Sequence, residues 1–185
     1  MFQRLLKKVA SSLDKYQIPY MVIGGQAVLL YGEPRLTKDI DITLGISVDH
    51  LGEMKAIVNR LNLKYLVKNV DEFVKETMVL PVIDQKSGIR IDFIFSYSPY
   101  EWQAIERARK ISFERTEIKF ASLEDLVIHK MIAERPRDIE DVQSILLKNP
   151  GYNCQYIEKW LSEFDSALDK KYRKSFSELQ KRLRY

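Results

Sequence analysis

A strand that ends at a glycine pair, with a second strand of alternating aspartates soon after, restricts the fold of this chain more than any other feature. Residues 20–23 are an apolar run, and Gly24 and Gly25 follow it directly. Residues 26–31 have a helical pattern, and residues 39–44 have the alternation of a strand. The order of strand, glycine turn, helix and strand predicts an architecture in which helices and strands are mixed.

The strand predicted over residues 39–44 carries its acidic side chains on one face. Side chains alternate along a strand, so Asp39 and Asp41 share a face with Thr43. Two neighbouring carboxylates repel each other unless a cation lies between them. Oxygen ligands of this kind suit Mg²⁺ or Mn²⁺.

The composition also restricts the kind of metal site. Among 185 residues there are one cysteine, Cys154, and two histidines, His50 and His129, which are far apart in sequence. A Cys-rich or His-based zinc site is therefore not expected, and carboxylates would have to hold any metal. The net charge of +4 permits an RNA substrate without requiring one.

A third carboxylate follows the same logic in the strand predicted over residues 89–95. Its apolar residues Ile91, Phe93 and Phe95 face one way, and Asp92 faces the other. If this strand lies beside residues 39–44, three carboxylates converge. Three carboxylates can hold two Mg²⁺ ions for phosphoryl transfer.

The rest of the chain predicts a mixed sheet in residues 1–120 and a helical region in residues 121–185. Further strands are predicted over residues 77–83 and, in two short pieces around Arg115 and Thr116, over residues 111–120. Helices are predicted over residues 2–16, 48–61, 99–110, 122–133 and 136–148, with one or two more in 155–184. The expected fold class is therefore α/β (α+β), with helices flanking a mixed β-sheet.

Together these motifs resemble the polymerase-β-like nucleotidyltransferase superfamily. The pattern is similar to small bacterial and archaeal nucleotidyltransferases, of the AbiEii-toxin type or the minimal and antibiotic types. The residues that carry the resemblance are Gly24-Gly25-x-Ala27, Tyr31-Gly32, Arg35-x-Thr37-x-Asp39-Ile40-Asp41, Leu123-Glu124-Asp125-Leu126, Lys130 and Arg137-Asp138-x-x-Asp141.

The resemblance implies a role for each matching residue. The implied catalytic residues are Asp39, Asp41, Asp92 and Asp138, and the first three are also the implied ligands of two Mg²⁺ ions, or of Mn²⁺. The implied nucleotide-binding residues are Gly24, Gly25, Gln26, Arg35, Thr37 and Lys130. Gln26 stands where many members carry a serine whose hydroxyl contacts the nucleotide phosphates, and a glutamine donates an amide hydrogen but is bulkier. Residues 1–120 would form the catalytic domain, and residues 121–185 would complete the site.

Two residues of the helical motif, Lys130 and Asp138, can also be interpreted without the family resemblance. Lys130 lies four residues after Leu126, on the apolar stripe of its helix, where a lysine must reach water or meet an anion. Asp138 lies two residues after Pro136, in the first turn of its predicted helix. A negative side chain there interacts favourably with the helix dipole. The resemblance instead assigns Lys130 to the triphosphate, and Asp138 to metal support or proton transfer.

The expected function is Mg²⁺-dependent transfer of a nucleoside monophosphate from an NTP to a hydroxyl of a tRNA, a protein or a small molecule. A toxin-like role is one option. One alternative is a non-catalytic nucleotide-binding, antitoxin or regulatory module of the same fold. Another is a haloacid-dehalogenase-type phosphatase, because Asp39, Asp41 and Thr43 match its motif. That motif needs an apolar strand immediately before its first aspartate, and residues 35–38 do not form one.

Location and assembly are predicted from the apolar segments. The longest such stretch, residues 20–31, is interrupted by glycines and is too short to span a bilayer. We therefore expect a cytoplasmic protein with no membrane association. An apolar stripe in residues 157–183 is expected to pack on the domain or on another subunit, which leaves a homo-oligomer or a partner contact open.

Overall fold

The computed structural model describes residues 2–114 and 116–183, and the chain divides into two compact units. The sheet unit contains Met1–Gln26 and Leu36–Ala121, and the helical unit contains Ala27–Arg35 and Ser122–Tyr185. Residues 27–35, which the sequence placed in the first region, therefore group with the C-terminal helices.

A mixed β-sheet forms the centre of the sheet unit. Its strands are β1 (Tyr20–Ile23), β2 (Asp39–Leu44), β3 (Lys64–Tyr65), β4 (Val79–Asp84), β5 (Ile89–Phe95), β6 (Arg109–Phe113) and β7 (Thr116–Phe120). Within the described residues their order across the sheet is β3-β4-β5-β2-β1-β7-β6. Strand β2 pairs antiparallel with β1 and parallel with β5. The two strands that carry the predicted aspartates are therefore neighbours in the middle of the sheet.

The alternation predicted for β2 and β5 is confirmed by their burial. Each strand turns an apolar face into the core, and burying such side chains is the main favourable contribution to folding. The fully buried residues of this face are Ile40, Ile42, Leu44, Ile91, Phe93 and Phe95. Asp39, Asp41, Arg90 and Asp92 alternate with them and are less buried. The polar face of these two strands is therefore the face that a ligand can approach.

The helices follow the sequence pattern closely. They are α1 (Phe2–Lys15), α2 (Gly24–Tyr31), α3 (Leu51–Arg60), α4 (Val70–Thr77), α5 (Pro99–Glu106), α6 (Leu123–Ala133), α7 (Pro136–Lys148), α8 (Cys154–Leu168) and α9 (Tyr172–Leu183). Across the described ranges, no helix combines the length and the apolar character needed to cross a bilayer.

The centre of the helical unit is α6, which packs against α7, α8 and α9. Ser122 caps its N-terminus, where the Ser122 hydroxyl oxygen accepts a hydrogen bond from the Asp125 backbone N–H at 3.2 Å. The buried residues of α6 cover most of its circumference: Leu123, Asp125, Leu126, Val127, Ile128, Lys130 and Met131. A lysine and an aspartate therefore lie inside this unit, where they need charged or hydrogen-bonding partners.

Three local predictions differ from the structure. Gly24 and Gly25 are the first residues of α2 and do not form a separate turn before it. The strand predicted over residues 77–83 begins only at residue 79, because α4 runs to Thr77 and ends where Met78 adopts a left-handed conformation. Neither α4 nor the two-residue strand β3 was predicted, since both are short.

The helix predicted over residues 99–110 is also shorter than expected. It ends at Glu106, because Arg109 already pairs with Phe120 in the antiparallel ladder of β6 and β7. The two short strands predicted in residues 111–120 correspond to β6 and β7, which pair antiparallel, and residue 115 lies outside the described residues.

The C-terminal apolar stripe packs within its own unit. It is divided between α8 and α9. Helix α8 ends at Leu168, and the next residue, Asp169, has a left-handed conformation. The buried residues of the stripe are Ile157, Trp160, Leu161, Tyr172, Phe176 and Leu179. Because α8 and α9 contact each other and α6, this part of the stripe belongs to the core of the helical unit.

Candidate active site

A carboxylate lies against the N-terminus of α2. Gly24 has a φ of +63°, and a Cβ added to it would lie 1.9 Å from Asp41 Oδ2. The pairing of β1 with β2 explains this contact, because Asp41 is the Cα partner of Ile23, the residue before Gly24. Glycine alone accommodates both the backbone angle and the close approach. The Asp41 charge is also favourable beside the positive end of a helix dipole.

The predicted phosphate cradle is the first turn of α2. The backbone N–H groups of Gly25 and Gln26 belong to this turn, where the helix itself offers them no carbonyl acceptor. Such N–H groups bind anions readily. The Gln26 residue is partly exposed. The geometry thus provides the predicted donors, with Asp41 beside them, and the role of these residues in binding a nucleotide stays a prediction.

The three predicted aspartates share one face of the β2–β5 pair. Asp41 is the Cα partner of Asp92, and Asp39 is the Cα partner of Arg90. Adjacent strands lie about 4.8 Å apart, so directly paired side chains on one face are close. The predicted adjacency of the two strands is therefore confirmed, and it brings carboxylates from both strands to one surface.

Asp39 and Asp92 each accept a hydrogen bond from a neighbouring side chain. Thr37 donates a hydrogen bond from Oγ1 to Asp39 Oδ1 at 3.0 Å. Arg90 donates from Nε to Asp92 Oδ1 at 2.8 Å. The hydrogen bond to Asp92 raises the pKa of the Arg90 guanidinium, and the charges of Asp92, Asp39 and Asp41 add to this effect against a smaller opposing effect of burial. Arg90 is therefore attracted by all three acids.

The donor set suits a hard divalent cation, because it consists of carboxylate oxygens on one surface. In the present rotamers, however, residues 2–114 and 116–183 contain no group of three or more His, Cys, Asp or Glu side chains placed to hold a metal. One oxygen of Asp39 accepts from Thr37, and one oxygen of Asp92 accepts from Arg90. Rotation of these side chains is needed before they could bind one ion together.

The helical unit contains a second cluster of charges. Lys130 Nζ lies 2.6 Å from Asp138 Oδ1 and 2.8 Å from Asp141 Oδ2. Arg35 binds Asp141 through two hydrogen bonds of 3.0 Å, from Nε and from NH2. The side chains of Lys130 and Asp141 are each 6% exposed. Lys130 therefore meets anions, as its position on the apolar stripe predicted, and these anions are carboxylates of the chain itself.

Asp138 contacts Lys130 with only one of its two carboxylate oxygens. Its other oxygen, Oδ2, is buried and has no hydrogen-bond partner in the described part of the chain. Asp138 itself is 9% exposed. Its observed contact is with Lys130, and the predicted metal-supporting or proton-transfer role stays a prediction.

Helix α7 holds residues 31–35 along several turns. The contacts are Arg35 to Asp141, the Glu33 N–H to Ser144 Oγ (3.2 Å), Lys148 Nζ to the Gly32 carbonyl (3.1 Å), and Asn149 Nδ2 to the Tyr31 carbonyl (2.8 Å). Gly32 also packs closely on this helix, because an added Cβ would lie 2.7 Å from Ser144 Oγ. The segment that leads in sequence to Thr37 and Asp39 therefore has a fixed conformation up to Arg35.

Sequence reasoning missed the importance of Arg90 and Asp141. Arg90 was not among the predicted site residues, yet it donates a hydrogen bond to Asp92. Asp141 was given no role of its own, yet it contacts both Lys130 and Arg35. The available signal was its spacing: Asp141 lies three residues after Asp138 in a helix, on nearly the same face.

The phosphatase alternative does not fit the strand that carries Asp39. Asp39 is the first residue of β2, and residues 36–38 are not part of a strand. The strand that precedes β2 in the chain is β1, which runs antiparallel to it. An aspartate immediately after an apolar strand, as that motif requires, is therefore not present at this position.

Comparison with known families gives one match over almost the whole chain. Residues 1–184 match the model of DUF6036, described as a nucleotidyltransferase of unknown function. No curated protein matches the sequence significantly.

Solved nucleotidyltransferases have the same fold. A crystal structure of ANT(2")-Ia in complex with adenylyl-2"-tobramycin superposes with a TM-score of 0.61 at 17% identity, covering 91% of this chain and 99% of that one. The lincosamide antibiotic adenylyltransferase LnuA, bound to lincomycin, gives 0.54 at 15% identity, covering 77% and 94%. An antigenic nucleotidyltransferase-like protein from Paracoccidioides brasiliensis gives 0.54 at 16% identity, covering 96% and 91%. At these identities the likeness is one of fold.

Proposed function

We propose a reaction for this chain, which belongs to the DUF6036 family of nucleotidyltransferases. It transfers a nucleoside monophosphate from an NTP to a hydroxyl group of an acceptor. The observation that supports this reaction most is the carboxylate face of β2 and β5, where Asp41 and Asp92 are directly paired. Beside it, α2 begins at a glycine that contacts Asp41.

The reaction forms one bond and breaks one. The acceptor oxygen bonds to the α-phosphorus of the NTP, and the bond from that phosphorus to the oxygen bridging to the β-phosphorus breaks. Pyrophosphate leaves with the electrons of this bond, and the acceptor hydroxyl loses its proton. Asp92 takes the proton, because it is a carboxylate on the face where the phosphate binds and has a second oxygen besides the one that Arg90 contacts.

The first turn of α2 binds the phosphate groups through the backbone N–H groups of Gly25 and Gln26. Gly24 allows Asp41 to lie close to this turn. Thr37 orients Asp39 through their hydrogen bond. Most of the rate acceleration arises from positioning and from fixed charges, because phosphoryl transfer needs little covalent help from the protein.

Asp39, Asp41 and Asp92 are the residues that would hold divalent cations, Mg²⁺ or Mn²⁺, with two ions as the expected number. Bound there, such cations neutralise phosphate charge and polarise the α-phosphoryl group. The positive charge of the cations would also offset the repulsion between the triphosphate and the carboxylates of Asp39, Asp41 and Asp92. In the helical unit, Lys130 and Arg35 are assigned to phosphate binding by family resemblance.

The acceptor carries a hydroxyl group and belongs to one of three classes: an RNA such as a tRNA, a protein or a small molecule. Two solved structures of the same fold are described with adenylyl-tobramycin and with lincomycin, which supports testing small hydroxylated molecules and ATP first. A toxin-like role corresponds to an RNA or protein acceptor. A non-catalytic module of the same fold is the alternative, and it predicts nucleotide binding without transfer.

A paired-label experiment tests the reaction. The protein is incubated with Mg²⁺, total RNA, total protein or a panel of aminoglycosides and lincosamides, and with each NTP labelled at either the α- or the γ-phosphorus. Nucleotidyl transfer predicts labelled acceptor from the α-labelled NTP only, because the γ-label leaves in pyrophosphate. Label from the γ-position would indicate a kinase reaction, and NTP binding with no labelled acceptor would favour the non-catalytic module.

A further inference from the structure

We propose that the Arg90 guanidinium partly neutralises the carboxylate face formed by Asp39, Asp41 and Asp92, and that it competes with a divalent cation for Asp92. This inference rests on the proposed function, since it concerns the same carboxylates. It makes Arg90 a positioning residue that sets the metal affinity of the site.

The register of the sheet fixes Arg90 beside the acids. Arg90 precedes Asp92 by two residues on β5, so both side chains project from the same face. Its Cα partner on β2 is Asp39, and the Cα partner of Asp92 is Asp41. The four side chains therefore occupy adjacent positions on two neighbouring strands, with one cation among three acids.

The hydrogen bond of Arg90 occupies one of the two oxygens that Asp92 could offer to a metal ion. Arg90 Nε lies 2.8 Å from Asp92 Oδ1. Three carboxylates on one surface repel each other, and the guanidinium offsets part of this repulsion while no metal is bound. A divalent cation between Asp41 and Asp92 would take over this compensation, and it would be repelled by a guanidinium that stayed in place.

The Arg90 side chain is free to leave. It is 52% exposed, whereas the Asp92 side chain is 17% exposed. An ion pair with one partner this exposed is readily broken, because water solvates the released guanidinium well. The long arginine side chain can therefore rotate into solvent without movement of β5, and Asp92 becomes available for the cation.

Removal of the Arg90 charge is thus expected to strengthen metal binding. The probe is Mn²⁺ alone, titrated into the full-length protein with and without a non-reacting NTP analogue, and free Mn²⁺ is followed by electron paramagnetic resonance. Arg90→Gln should lower the Mn²⁺ dissociation constant about two- to tenfold, because an exposed ion pair and a like-charge repulsion are both removed. Arg90→Lys keeps the charge but not the planar fork, so it should fall between Arg90→Gln and the wild type.

The matched control is Arg4→Gln. It makes the same chemical change and the same change in net charge on an exposed residue of α1, and it should leave Mn²⁺ affinity within twofold of the wild type. Thermal unfolding followed by circular dichroism establishes that the variants are folded.

The outcomes separate this inference from the proposed function. If wild-type protein binds no Mn²⁺ in either condition, the metal site of the proposed function and this inference both fail. If wild-type protein binds Mn²⁺ and folded Arg90→Gln binds it equally or more weakly, only this inference fails, because Arg90 then supports Asp92 and does not compete for it. An equal gain in Arg4→Gln would also overturn it, since net charge alone would account for the effect.

Discussion

Asp41 and Asp92 are Cα partners on two adjacent parallel strands, and both side chains project from the polar face of the sheet. Such a pair of acids at the centre of a sheet is unfavourable unless cations compensate it. In the structure Arg90 supplies one such cation, and the start of α2 supplies a partial positive charge beside Asp41. The arrangement fits a surface that binds metal and phosphate.

Gly24→Ala should impair the site far more than Gly88→Ala. Both glycines have positive φ, +63° and +69°, but only at Gly24 does an added Cβ meet another group, at 1.9 Å from Asp41 Oδ2. Gly88→Ala should cost about 1 kcal/mol of unfolding free energy for its backbone alone. Gly24→Ala should cost about 1–3 kcal/mol more, or displace Asp41, and in either case should lower transferase activity.

Urea unfolding and the label-transfer assay measure these two effects. Equal activity in Gly24→Ala and Gly88→Ala would show that the contact between Gly24 and Asp41 has no part in catalysis.

Asp141→Asn should destabilise the fold strongly. Asp141 contacts Lys130 at 2.8 Å and Arg35 at 3.0 Å, and its side chain is 6% exposed. Neutralising it leaves a buried lysine with less compensation and removes the two-point contact with Arg35. Breaking such buried pairs typically costs about 3–5 kcal/mol, which urea denaturation can measure.

Glu163→Gln is the matched control for that loss. Glu163 also pairs with a lysine, Lys159, at 3.9 Å, but both side chains are more than half exposed. The change in unfolding free energy should stay within about 0.5 kcal/mol. If Asp141→Asn were as mild as Glu163→Gln, the charge cluster of the helical unit would contribute little to stability.

Thr37→Val should reduce activity with little change in stability. Thr37 is partly exposed and its hydroxyl donates to Asp39 Oδ1 at 3.0 Å. Without this bond Asp39 samples more rotamers, and the turnover rate should fall about three- to tenfold. Thr37→Ser keeps the donor and should retain most of the activity. A Thr37→Val variant as active as the wild type would contradict this prediction, because valine keeps the methyl group and lacks only the donor.

The sequence was informative where periodicity decides the structure. In β5 the alternation of Ile91, Phe93 and Phe95 with Asp92 predicted which face is buried, because burial of large apolar side chains dominates the choice of face. Lys130 on an apolar helix stripe predicted a nearby anion for the same reason. Both are local patterns in which a single contribution, the burial of apolar side chains, decides the structure.

Partner choice could not be read from the sequence. Arg90 and Asp92 lie two residues apart on β5, but their position beside Asp39 and Asp41 depends on which strands are neighbours. Asp141 contacts Arg35 across 106 positions of sequence, which no local pattern encodes. Helix α4 is only eight residues long and Val74 is its buried residue, so its apolar stripe is too short to stand out in the sequence.

The most direct test of the account is label transfer by a variant that lacks both β2 aspartates. Asp39→Asn with Asp41→Asn should keep the folded structure and lose at least about 100-fold of the Mg²⁺-dependent transfer of α-labelled nucleotide. Asp49→Asn, which changes an exposed aspartate that accepts a hydrogen bond from Ser47 Oγ, should transfer label at the wild-type rate. Undiminished transfer by the folded double variant would contradict the account, because the carboxylate face of β2 and β5 would then not be the active site.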